Sequence, residues 1–177
     1  MKKGIIAIVI VALIAVAGFG YYKGWFSGSP ESFKGATLTV PGTKDITVVL
    51  DTTSPSSTNN YPMGEYNDGD AERGTVVVLE DKAEKMSDGR TVAPFAHNSG
   101  GSGEFLYLGL FDAKLKHLSS FPIGDRIDIT SIDVSGITIT INYMIHGEGQ
   151  AMYEDPNTPA TLTLDVVGEK LVKRIVN

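Results

Sequence analysis

The chain has 177 residues, a formal charge of −6 from 15 basic and 21 acidic side chains, 42% hydrophobic residues and no cysteine. Lys2, Lys3 and Lys23 lie in or beside the apolar N-terminus and every acid lies beyond it, so residues 24–177 set 12 basic against 21 acidic side chains, or −9, which repels phosphate backbones and excludes nucleic acid as a partner. The absence of cysteine excludes a disulfide framework, a thiol nucleophile, a thiolate metal site and a lipidated cysteine, so a body of about 150 residues must be held by packing.

From Gly4 to Tyr22 the run GIIAIVIVALIAVAGFGYY carries no charge over 19 residues, enough at about 1.5 Å per residue to span a bilayer core of about 30 Å. It fits a transmembrane helix or a signal peptide, since Lys2-Lys3 suits both and Ala15-Val16-Ala17 is an acceptable cleavage site. The anchor is favoured because the apolar run outlasts that site and ends in Tyr21, Tyr22, Trp25 and Phe26, an interfacial aromatic belt. Lys2, Lys3 and the terminal amine against the lone Lys23 keep the N-terminus in the cytoplasm and place the body outside it. Secretion after cleavage is the alternative. Residues 1–26 are thus an anchor or signal peptide, 27–35 (SGSPESFKG) a linker and 36–177 an extracytoplasmic domain.

Within that domain the pattern changes to period two. Ala36 to Val40 and Ile46 to Leu50 flank the turn Pro41-Gly42-Thr43-Lys44 and predict a first hairpin. Asp51 to Gly74 is rich in turn formers and reads as a long loop. Thr75 to Leu79 reads as a buried strand, Asp81 to Met86 as one helical turn and Thr91 to Ala96 as a strand. Phe105 to Phe111 and Lys114 to Leu118 predict a second hairpin. Alternating isoleucines in Arg126 to Val134 and Ile137 to Tyr143, around Ser135-Gly136, predict a third. Ala160 to Val166 and Leu171 to Val176 predict the last. About nine or ten strands joined by short turns specify an all-β fold, an antiparallel sandwich or a partly closed barrel, preceded by the single N-terminal transmembrane helix.

The stretch SDGRTVAPFAHNSGGSGEFLYLGLF, followed by Ile123-Gly124-Asp125-Arg126-Ile127, resembles a domain of uncharacterised bacterial cell-envelope proteins. There a DxDxDG-type loop leads into a strand, a GGSG-plus-aromatics segment and a GDR motif before a β-hairpin. The resemblance runs from about Glu84 to the C-terminus and implies a membrane-anchored or secreted β domain. It lays the DxDxDG loop on Glu84 to Gly89, where Met86 takes a ligand position; a thioether does not replace a carboxylate for calcium, so the loop is expected to keep its turn and lose the metal.

Three groups of residues are candidates for chemistry. Asp68, Asp70 and Glu72 space carboxylates like the first positions of a calcium loop, although Arg73 stands where the sharp turn needs glycine and Leu79 where a bidentate glutamate belongs. A solvated acidic loop is therefore expected, with calcium as the only cofactor the chain suggests. His97, Asn98, Ser99 and Ser102, interleaved with Gly100, Gly101 and Gly103, form a loop able to hold an anion or a sugar hydroxyl, or simply a wide turn requiring a glycine at positive φ. Gly101→Val is the substitution expected to cost most there. Asp125 and Arg126 are expected to cap a turn and to pair with a carboxylate across the sheet. The histidines His97, His117 and His146 have no metal-ligand spacing and read as surface or turn residues.

These readings favour a non-enzymatic, membrane-tethered binding or scaffolding domain of the cell envelope, with a protein or glycan partner. One alternative is an envelope serine hydrolase using Ser99 or Ser102 with His97 or His146, although no GxSxG elbow exists. The other is a carbohydrate-binding module stacking sugars on Tyr61, Tyr66 or Tyr153. The loop from Tyr143 to Pro159, with Tyr153, Glu154 and Asp155, is a further interaction surface.

Overall fold

The computed structural model describes residues 32–55, 59–67 and 73–175. Its strands, in chain order, are β1 (Thr37–Thr39), β2 (Thr47–Val49), β3 (Thr52–Thr53), β4 (Pro62–Asn67), β5 (Arg73–Val78), β6 (Glu84–Lys85), β7 (Thr91–Asn98), β8 (Phe105–Phe111), β9 (His117–Asp125), β10 (Asp128–Ser135), β11 (Thr138–Ile145), β12 (Thr158–Val167) and β13 (Lys170–Lys173). All pairings are antiparallel. A seven-stranded sheet runs β3-β4-β5-β7-β8-β9, with β6 on β7 beyond the end of β5. The meander β10-β11-β12-β13 and the hairpin β1-β2 make two further sheets, and no barrel closes among the described residues.

The central sheet is covered on both faces, which is why TVAPF and FLYLGLF read as near-continuous apolar runs. Val92, Leu106, Leu108 and Leu110 enter a core shared with Ile129, Ile132, Ile139, Ile141, Leu162 and Leu164 of the meander. Ala93, Phe95 and Phe111 point the other way, into a core with Phe33, Leu38, Val40, Val48 and Leu50 under the hairpin. The meander has one wet face and so keeps its alternation visible. Its only phase change, from Ile129 to Ile132, falls on a bulge where the register with β11 shifts between Ile129 and Ser131.

Several expectations are corrected. Residues 51–74 are no continuous loop: β3, β4 and the start of β5 lie within them. The inward positions of β4 are Pro62, Gly64 and Tyr66, residue types that do not announce a strand. Gly64 has a specific role, because a Cβ there would lie 2.8 Å from the Val49 carbonyl oxygen and 3.0 Å from the Val48 side chain; β2 lies directly on it. The expected helical turn is a 3₁₀ turn at Glu80–Lys82 followed by β6. It forms beside Pro94, whose carbonyl accepts from Leu79 N–H at 2.9 Å but whose ring nitrogen cannot return the bond, so β5 leaves the sheet there. The partner of β8 is not Lys114 to Leu118 but the longer β9, and the meander's first turn is Gly136-Ile137, one residue later than expected.

The folded body begins by Ser32, inside the segment read as linker. Phe33 is fully buried edge-on to Phe111, and its N–H and the Ser32 hydroxyl both donate to the Glu80 carboxylate. At the opposite end of the chain Arg174 grips Asp165 with two hydrogen bonds of 2.8 and 2.9 Å, holding that carboxyl below its usual range. Arg90 ties the two large sheets together by donating to the Gly168 carbonyl while paired to Asp88. The N-terminal anchor or signal segment lies outside the described residues; within them no helix is long and apolar enough to cross a membrane.

Candidate functional site

Antiparallel pairing gathers the ends of β4, β7 and β9 and the starts of β5 and β8 at one end of the central sheet, as the pairs Asn67–Arg73, Thr75–Asn98, His97–Phe105 and Phe105–Asp125 show. The residues singled out between His97 and Arg126 therefore share that end. They do not share one cavity. Strand alternation continues through Asn98, so His97 and Ser99 face the hairpin side while Asn98 faces the other.

On the hairpin side His97 and Ser99 line a cleft of about 400 Å³ with Tyr66, Phe105, Tyr107 and the turn Pro41 to Thr43. His97 is no surface residue: it is 6% exposed, and its Nε2 is hydrogen bonded to the Tyr66 hydroxyl at 2.8 Å. Burial lowers its proton affinity. His117 is half-buried, its ring set against Phe95 and Phe111, so it too is more covered than the surface expectation had it.

On the opposite side Asn98, Ser102, Glu104 and Arg126 meet the β11–β12 loop, through His146, Met152, Tyr153, Glu154 and Asp155, around a polar cleft of about 430 Å³. Asp125 lies behind it. Its Oδ1 accepts from Glu104 N–H at 3.1 Å and stands 3.6 Å from Arg126 Nε, so Asp125 bonds across to the neighbouring strand where a cap of its own turn was expected, and Arg126 pairs with its chain neighbour rather than across the sheet. Arg126 holds φ at +48°, and its buried Nε has no hydrogen-bond partner. His146 Nε2 donates to the Glu154 carbonyl at 2.9 Å, which leaves Nδ1 as the ring's lone-pair nitrogen. Asn98 also borders a third cleft of about 460 Å³ with Glu65 and Arg73, and its Oδ1 accepts from Gly100 N–H at 2.8 Å.

That bond closes the turn the glycines allow. The positive φ falls on Gly100 at +82°, whereas a Cβ on Gly101 would meet nothing within 4 Å, so Gly101→Val is not the costly substitution. Glu104 and Met152 had no signal in the sequence, since each is a lone residue beside a turn; Tyr153, Glu154 and Asp155 were marked by their loop alone. Asp68, Asp70 and Glu72 lie outside the described residues, and no group of three histidines or carboxylates is placed to hold a metal among those described. In the Glu84 to Gly89 loop the turn persists, with Gly89 at φ +89°, but Met86 is buried in the core and Asp88 pairs with Arg90.

Fold and site together define an all-β domain of layered antiparallel sheets with polar and aromatic clefts gathered at one sheet end. No family model, no curated protein and no solved structure matches this chain.

Proposed function

We propose that the protein is a ligand-binding or scaffolding domain, tethered by its N-terminal segment outside the cytoplasmic membrane of a bacterial envelope, and that the cleft between Asn98, Arg126 and the β11–β12 loop receives the partner. The observation that carries this is the meeting of residues far apart in sequence, Asn98, Ser102, Arg126, His146 and Met152 to Asp155, around one recess at the end of the central sheet. Tethering raises the local concentration of the domain for a partner near the membrane, so contacts of modest strength suffice. The test is hydroxyl-radical footprinting of the full chain with and without a soluble bacterial envelope fraction. Protection of Met152 and Tyr153 is expected; protection confined to other surfaces sinks the assignment of this cleft.

Ser102 and His146 line the same cleft, and this supports a second reading as an envelope serine hydrolase. The His146 ring is oriented by a carbonyl in place of a carboxylate, and no hydrogen bond joins it to Ser102 among the described residues. A serine-reactive fluorophosphonate probe decides: labelling of Ser102 that His146→Ala abolishes establishes the hydrolase, and an unlabelled chain removes it.

A further inference from the structure

We infer that the cleft beside Arg126 binds a saccharide, with the Arg126 guanidinium and the Asn98 amide donating to sugar hydroxyls, the Glu104 and Glu154 carboxylates accepting from them, and the Tyr153 ring lying against the sugar face. This rests on the binding-site reading above and names the ligand class for it. The first ground is the mixture of partners. A carboxylate accepts only, a guanidinium donates only, and a hydroxyl does both, so neighbouring hydroxyls on a ring satisfy a recess that holds both kinds. An anionic ligand meets Glu104, Glu154 and Asp155 in the same recess, and a cationic one meets Arg126. A neutral polyhydroxylated ring suffers neither repulsion.

The second ground is Tyr153, 89% exposed at the rim of the cleft. An aromatic face free of intramolecular partners offers the flat apolar surface that the C–H face of a pyranose covers, with the phenol free to bond at the edge. The volume of about 430 Å³ lies within the range of small-ligand pockets.

The third ground is the backbone of Arg126. A non-glycine residue at φ +48° holds a conformation that glycine adopts without cost, so Arg126 carries backbone strain on the cleft wall. Its Nε is buried and stands 3.6 Å from Asp125 Oδ1, an ion pair beyond hydrogen-bond distance. With the Nε edge turned to Asp125, the terminal guanidinium nitrogens are what a ligand in the cleft meets.

The strain also supplies the cleanest variant. Arg126→Gly removes the guanidinium and relieves the backbone, so it separates binding from folding. The full chain, held in a zwitterionic detergent free of sugar, is titrated with chitotetraose, cellotetraose, maltotetraose and peptide-free peptidoglycan glycan strands, read by saturation-transfer NMR and calorimetry. At least one is expected to receive saturation on its ring C–H protons. Arg126→Gly and Tyr153→Ala are each expected to weaken that affinity about tenfold or more, while Tyr153→Phe retains most of it. The melting temperature of Arg126→Gly is expected to match or exceed that of the parent. If no saccharide binds while the envelope fraction still protects Met152 and Tyr153, the saccharide inference falls and the binding-site reading stands; if protection is also absent, both fall. Saccharide binding untouched by Tyr153→Ala and Arg126→Gly places the sugar elsewhere and overturns the inference.

Discussion

His117 is the residue whose chemistry is most altered by its surroundings. Its Nδ1 accepts from Thr39 N–H at 3.4 Å, its ring meets Phe95 and Phe111, and its Nε2 is buried without a partner. Desolvation lowers its pKa from 6.5 to about 4, only partly opposed by the Ser119 backbone. Between those two values the unfolded chain takes up a proton that the folded chain refuses, so stability is full above about pH 6.5 and drains away as pH falls toward 4. At about 1.36 kcal/mol per pH unit the whole gap is worth about 3 kcal/mol. His97, its proton affinity lowered by burial, adds in the same direction. Urea titrations at pH 7 and pH 4.5 are expected to show a loss of stability that shrinks in His117→Gln, which keeps an acceptor for Thr39 and does not titrate there. An undiminished loss in the variant would acquit His117. At this scale the sequence was least informative: nothing in KLKHLSS marks the His117 ring as covered, because the aromatic rings against it come from β7 and β8.

Among the elements, the hairpin β1-β2 depends on a missing side chain. β2 lies so close over β4 that the Gly64 position leaves 2.8 Å to a backbone oxygen, a gap no Cβ fills without moving the hairpin. Gly64→Val is expected to destabilise by about 1 to 3 kcal/mol as an overpacked site. The damage has a direction: hydrogen exchange at Thr47 to Val49 accelerates before exchange at Thr138 to Ile145 in the meander. Uniform acceleration would show that the hairpin is not the element displaced. The hairpin itself was legible, since its β-branched alternation is local. The strand beneath it was not, because Pro62, Gly64 and Tyr66 satisfy a close approach rather than a hydrophobic period. The same contrast divides the site: the turn at Gly124-Asp125-Arg126 was legible in the sequence, whereas the Asp125 bond to Glu104 N–H and the cleft with His146 and Tyr153 required remote segments to be brought together.

For the whole molecule, β7 and β8 contribute side chains to both cores, so neither outer layer has a hydrophobic partner of its own once the central sheet is lost. The body is expected to unfold in one transition, with equal calorimetric and van't Hoff enthalpies. Phe33→Ala in one core and Ile141→Ala in the other are each expected to lower that single transition by several degrees, as large-to-small core changes of about 2 to 5 kcal/mol do. Two separated transitions would show that the layers stand independently. At the N-terminus the expected outcome is retention: intact mass and N-terminal sequencing are expected to show Met1 or Lys2 in the membrane fraction, and a mature start at Gly18 would identify Ala15-Val16-Ala17 as a cleavage site.

By itself the sequence determined the all-β class, the antiparallel hairpins and most of the polar turns between them. Alternation and turn residues are local signals, and a meander with one wet face writes them plainly in ITITIN and TLTLDV. Only the tertiary structure decided that β7 and β8 are buried twice over, that His97 and Asn98 face different clefts, and that Arg126 and Tyr153 line the same one. Those outcomes depend on which faces are covered by elements remote in the chain, and a strand covered on both faces loses the period that would have announced its neighbours.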